Sequence, residues 1–324
     1  MFGEMRERGI DSHPTRNQWL NSRVRFESEV KMTDVDPFDH LEELDPFDHP
    51  EEPEVKFDRW KRYVLLNPYT GQEHSWTRVT TFAKSIVDSY ALSQWQQRMV
   101  VRGMSLCPNL VAQAVGLDVT EDRDRLDRLA EKAKDAAGAK IAADTGTAIH
   151  TFTEETDAGT MTVSEVPEVH RFGVEAYRHA LNAAGLRVLP EFQERVICVP
   201  SYVVAGRLDK IAQEADGTHT IVDVKSGKLT YSKLEISVQL AMYAHGFNTA
   251  GVWDKPSESW VRPDIKVRED YAIVAHMPAG AGTCTLYRVD IRVGWEAARL
   301  CDDVRDKRKA TGVFAPYEPF KSTT

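Results

Sequence analysis

Two carboxylates and a lysine disposed around a single Asp-Gly turn constrain this chain more than any other feature. Arg195 to Val199, Tyr202 to Gln213 and His219 to Lys225 are rich in β-branched and other apolar residues, the composition of strands. Glu214-Ala215-Asp216-Gly217 separates the last two, and its Asp-Gly pair predicts a tight hairpin. Side chains alternate along a strand, so Asp223 and Lys225 share one face while Val222 and Val224 take the other. On the partner strand Asp209 shares its face with Arg207 and Ile211. A register that sets Asp209 beside Asp223 would bring two carboxylates within reach of one hard cation. Mg2+ favours such sites, with water and phosphate oxygens in the remaining positions.

A site of this kind suits phosphodiester hydrolysis, which needs an activated water, neutralised charge at phosphorus and a stabilised leaving oxygen. Lys225, two residues beyond Asp223, is placed to orient or deprotonate the water and to offset negative charge. Taken alone, Asp-x-Lys reads equally well as an ion pair at a strand end. Its surroundings add weight. Ser232 to Asn248 has helical apolar spacing through Leu234, Val238, Ala241, Met242 and His245, and Gln239 and Tyr243 lie four apart on one face. That pair is either a surface amide and a core ring or a pair presented to the site. Upstream, Thr120 to Glu155 reads as one or two helices, with Gly146 four residues before His150. A lone helical histidine is more often structural than a ligand.

In order along the chain, Gly146-x-x-x-His150, Gly206-Arg207-Leu208-Asp209, Asp223-Val224-Lys225 and Gln239-x-x-x-Tyr243 resemble the RecB-like branch of the PD-(D/E)xK nuclease superfamily. That branch includes the RecB and AddAB nuclease domains, the CRISPR-associated RecB-like exonucleases and many phage exonucleases. The resemblance is strong over residues 140–250 and looser over 70–310. It implies an α/β fold with a restriction-endonuclease-like core, a mixed central β-sheet flanked by helices, and an N-terminal helical extension. It also implies roles for residues. His150 matches the helical histidine at the metal, Asp209 the first acidic ligand and Asp223 the second. The Val224 carbonyl is implied as a further ligand and Lys225 as the catalytic lysine. Gln239 and Tyr243 match the motif that supports the site and contacts DNA. For the acidic residue on the preceding strand, Glu194 is the first candidate and Glu191 the second. The implied cofactor is Mg2+ or Mn2+, as one or two ions. The iron–sulfur cluster of some relatives is not expected, because Cys107, Cys198, Cys284 and Cys301 include no Cys-x-x-Cys and no C-terminal triplet.

The 324 residues carry a formal net charge of −9, at first sight wrong for an enzyme of DNA. Residues 32–58 hold eleven acidic side chains against one lysine, which leaves the rest close to neutral. DNA binding depends on local basic surface, not on overall charge. Arg207, Lys210, Lys228 and Lys233 lie near the motifs and are candidates to track phosphates, with Tyr231 to stack on a base. The acidic stretch repeats Asp36-Pro37-Phe38-Asp39-His40 as Asp45-Pro46-Phe47-Asp48-His49, and residues 1–58 read as disordered. A hairpin of Tyr63 to Leu66 and Trp76 to Thr80, then helices over Thr81 to Gly103 and Asn109 to Val115, make residues 59–118 a helical cap. The nuclease core is expected at 119–312 and a tail at 313–324. Late in the core, Tyr271 to His276 and Thr283 to Ile291 read as paired strands and Gly294 to Lys309 as a helix. No stretch is apolar for long enough to span a bilayer, the N-terminus lacks a hydrophobic signal core, and four scattered cysteines suit a reducing compartment. The expected setting is therefore cytoplasmic, without a membrane partner.

The expected function is a DNA exonuclease using two-metal hydrolysis on DNA ends of undefined strandedness. Phage DNA recombination, replication or processing is the setting the resemblance suggests, with a recombinase or single-strand-binding protein as candidate partner. A structure-specific endonuclease of the same fold is the alternative. A non-catalytic DNA-binding module is the third reading; loss of His150, Asp209, Asp223 or Lys225 would have favoured it, and all four are present.

Overall fold

The computed structural model describes residues 55–230 and 232–317. The acidic repeat and Tyr231 lie outside the described residues. Three short strands come first: β1 (Lys56–Phe57), β2 (Tyr63–Leu66) and β3 (Glu73–Arg78). β2 and β3 form the expected antiparallel hairpin, with Tyr63 opposite Trp76. The helix expected over Thr81 to Gly103 is broken into α1 (Val79–Ala83), a 3-10 turn at Lys84–Ile86, and α2 (Tyr90–Leu106). The chain leaves helical geometry at Val87, which is extended, and α2 restarts with Asp88 Oδ1 accepting the Tyr90 N–H at 2.8 Å. Four helices follow, α3 (Pro108–Ala114), α4 (Arg123–Ala136), α5 (Ala139–Ala158) and α6 (Glu168–Ala183). α6, with Val174, Tyr177 and Leu181 buried, has no counterpart among the expected elements.

The central strands are β4 (Arg187–Leu189), β5 (Arg195–Val199), β6 (Val204–Leu208), β7 (Lys210–Gln213) and β8 (His219–Lys225). The single strand expected over Tyr202 to Gln213 is instead a 3-10 turn at Pro200–Tyr202 followed by two strands divided at Asp209. β6 pairs antiparallel with β5 and parallel with β3, whereas β7 pairs with β4 and β8. The chain thus passes from one sheet to another at Asp209. The remaining elements are α7 (Lys233–Thr249), the small hairpin β9 (Val252–Asp254) and β10 (Ser259–Val261), then β11 (Tyr271–His276), β12 (Thr285–Asp290) and α8 (Ile291–Arg308). The sheets run β1-β2-β3-β6-β5 and β12-β11-β8-β7-β4, the second mixed through its parallel β8–β11 pair.

Alternation along β7 and β8 sorts the layers. Ile211 and Ile221 pack with Val238, Met242 and Ala298 of α7 and α8, while Ala212, Val222 and Val224 pack with Ile149, Tyr177 and Leu181 of α5 and α6. α7 buries eleven residues around its circumference, as expected of a helix apolar on all sides. The fold is mixed α/β, with mixed sheets flanked by helices. No helix among the described residues is long and apolar enough to cross a membrane. The cysteines lie apart in the chain's layout, Cys198 in β5, Cys301 in α8, Cys107 between α2 and α3, and Cys284 before β12.

Candidate active site

The β7–β8 hairpin pairs Lys210 with Val222 and Ile211 with Ile221. Carried one residue further, this register sets Asp209 opposite Asp223, with Lys225 on the same face. Asp209 is held from both sheets. Its Oδ2 accepts the Val224 N–H at 2.8 Å, and its carbonyl oxygen accepts the Glu194 N–H at 2.8 Å. His150, on α5 one turn beyond buried Gly146, brings Nδ1 to 3.5 Å from the same Oδ2.

The two aspartates are pushed in opposite directions. Burial opposes ionisation of Asp209, but the charges of His150 and Lys225 and the Val224 amide outweigh it and hold the carboxyl below its ordinary value. Asp223 is fully buried, and burial pushes its carboxyl up to about 7 against the pull of Lys225. Lys225 Nζ pairs with Asp223 Oδ2 at 2.9 Å, and beyond this ion pair the buried Asp223 oxygens have no hydrogen-bond donor.

Glu154 is a site residue that the sequence reading missed, and its signal was present: it follows His150 by four residues on α5. Burial, and then the charge of Asp209, raises the carboxyls of both Glu154 and Glu194. Glu194 has left-handed backbone, φ 52°, and its Oε2 accepts from Arg207 Nε at 2.7 Å. Arg207 is thereby engaged at the site itself. Glu191 is exposed, in a 3-10 turn.

Gln239 Nε2 donates to Tyr243 Oη at 2.9 Å, and both residues are buried. Gly206 lets them sit there: a Cβ at this position would meet Tyr243 Cε1 at 2.9 Å and Val79 Cβ at 3.0 Å. His150, Glu194, Arg207, Asp209, Lys225 and Lys228 line a cleft of about 720 Å3, joined by Gln239 and Tyr243 and by residues of α2 and α4. Lys233 is exposed at the start of α7 and is not part of that lining. Lys210 corrects the expectation of a phosphate contact. It is fully buried, its Nζ 2.9 Å from Asp157 Oδ2, 3.1 Å from Tyr177 Oη and 3.2 Å from Thr153 Oγ1. The reason is alternation: the residue after Asp209 must face the α5–α6 layer.

The donor-poor oxygens of Asp223 and the buried Oε1 atoms of Glu154 and Glu194, with Asp209 and the His150 imidazole, form an oxygen-rich set suited to a hard divalent cation. Among the described residues no group of three or more His, Cys, Asp or Glu side chains is arranged to enclose an ion. An ion bound here would complete its coordination with water and phosphate.

A hairpin that carries paired carboxylates to a cleft beside a lysine is the arrangement of a metal-assisted nuclease. Residues 114–307 match the profile of the PD-(D/E)XK nuclease superfamily, and the chain belongs to that superfamily. Membership implies a DNA substrate and, as is general in the superfamily, divalent metal ions. Among curated proteins nothing matches the chain significantly.

Proposed function

We propose that the chain is a Mg2+- or Mn2+-dependent DNA exonuclease that hydrolyses phosphodiester bonds with two metal ions. The observation that carries this reading is the hairpin register, which sets Asp209 opposite Asp223 with Lys225 on the same face. Asp209, Asp223, His150, Glu194 and the Val224 carbonyl would hold the ions. Bound there, a divalent ion lowers the pKa of water and polarises the scissile phosphate. Lys225, its side chain 15% exposed at the cleft, orients the attacking water and offsets charge at phosphorus. Gln239, fixed by Tyr243, presents its amide to the phosphate or a neighbouring base. Arg207 acts through Glu194, while Lys228 and the more distant Lys233 meet the DNA backbone. The bounded volume of the cleft favours an entering end over an uninterrupted duplex, which supports exonuclease action. A place in phage DNA recombination, replication or processing, and a recombinase or single-strand-binding partner, rest on the motif resemblance alone.

The test is incubation of end-labelled linear DNA and closed circular DNA with Mg2+, Mn2+ or EDTA, beside Lys225→Ala. Metal-dependent loss of the linear form alone, absent in the variant, is the expected result, and the label reads out polarity. Cutting of the circle would replace the exonuclease reading with an endonuclease. Intact DNA in every tube would remove the catalytic reading.

A further inference from the structure

We infer that the strand entering the cleft is single and that Trp95 is the platform on which its bases stack; this rests on the nuclease reading of the same site. Leu92, Trp95 and Gln96 stand at i, i+3 and i+4 on α2, hence on one face, and all three line the cleft. Leu92 is 52% exposed and Trp95 41%. The other described tryptophans have an aromatic or cationic neighbour. Arg59 lies 3.8 Å over Trp60, His74 is 5.6 Å from Trp76, Trp253 and Trp260 are 5.3 Å apart, and His245 is 4.0 Å from Trp295. Among the described residues Trp95 is the one exposed tryptophan, and it has no such neighbour. An indole exposed in the cleft wall beside Leu92 is apolar area that a ligand with flat π-faces covers favourably.

The platform is anchored. On α2, a Cβ on Gly103 would fall 1.7 Å from the Ala133 carbonyl oxygen, so the backbones of α2 and α4 touch and fix the helix that carries Trp95. Dimensions point to one strand. A volume of about 720 Å3 is in the roughly 300–1,000 Å3 range of small-ligand sites, a scale that suits a few nucleotides of one strand. Asp209 is 8% exposed and Asp223 not at all, so a phosphate must move inward to reach them, unencumbered by a complementary strand. Charge adds the last consideration. Seven Lys and Arg side chains, Lys140 and Lys228 among them, line the cleft with six Asp and Glu, a mixed wall whose attraction for phosphate is limited. Stacking must then supply affinity, as it does in single-strand sites.

The test compares binding of fluorescein-labelled oligothymidylate and of a blunt duplex of equal length by the full chain carrying Lys225→Ala. The single strand should bind about tenfold or more tightly than the duplex. Adding Trp95→Ala should weaken single-strand binding by about tenfold, the scale of one base–aromatic stack, and Trp95→Phe should restore most of it. Thermal melts of the Trp95→Phe variant should match the parent, which separates lost stacking from lost folding. Equal affinity for the two DNAs, or a Trp95→Ala chain that binds the single strand as its parent does, overturns the inference. Should the native chain cut neither DNA while Trp95-dependent single-strand binding persists, the nuclease reading fails and this one stands.

Discussion

Lys210 Nζ lies 2.9 Å from Asp157 Oδ2, with the lysine side chain 1% exposed, one residue beyond the aspartate that faces the cleft. The Tyr177 hydroxyl donates to the same carboxylate oxygen at 2.7 Å. This cluster ties β7 to α5 and α6, and α5 is the helix that brings His150 and Glu154 to Asp209. A buried ion pair therefore holds the two sides of the candidate site in register.

Removing one partner of such a pair leaves an uncompensated buried charge, at a cost of about 3–5 kcal/mol. Lys210→Met should lose stability on that scale in urea denaturation, and Lys210→Met/Asp157→Leu should regain much of it. A single variant within about 1 kcal/mol of the parent would show that the pair does not bind the layers together.

Asp223 gives a pH dependence to the metal-free protein. Its carboxyl ionises near 3.8 in the unfolded chain and at about 7 when folded, so the folded state holds more protons between these values. Stability should fall as pH rises through that window, being fullest below it. Asp223→Asn should flatten this part of the profile, while raised Glu154 and Glu194 contribute in the same direction to both proteins. Urea midpoints measured in EDTA across the window decide it; parallel profiles would contradict the burial-driven shift.

Gly206→Ala should damage activity through packing. The added methyl would press on Tyr243 and Val79, and overpacking of this kind costs about 1–3 kcal/mol. Cleavage should drop more than unfolding alone accounts for, because Gln239 hangs on Tyr243. Full activity together with unchanged melting would mean that the ring yields freely.

Lys228, three residues beyond β8, is an exposed cation that lines the cleft. If it meets a phosphate, Lys228→Ala should raise KM severalfold with kcat nearly unchanged and lower the slope of log affinity against log salt by about 1. An unaltered salt slope would place the phosphates elsewhere.

Much of the site was legible because it is local. The Asp-Gly pair places the turn, and alternation assigns Asp223 and Lys225 to one face and Val222 and Val224 to the other, while the register itself is read from the pairing of Gln213 with His219. Helical spacing likewise joined Gln239 to Tyr243. The same rule should have recovered Glu154 from His150, since both needed only a count of four along α5. The break between α1 and α2, by contrast, with Asp88 accepting the Tyr90 N–H at the start of α2, is not registered by apolar periodicity.

The sequence by itself determined the hairpin and the order of the motifs, because turn chemistry and strand alternation act over a few residues; the register that sets Asp209 opposite Asp223 came from the structure. Tertiary structure alone decided that the run through Asp209 divides between two sheets, since competing hydrogen-bond partners lie far away in the chain. It also decided that Lys210 is buried while Trp95 is left partly exposed in the cleft wall. Alternation assigns a side chain to a face, but only the elements packed against that face settle whether it meets protein or solvent.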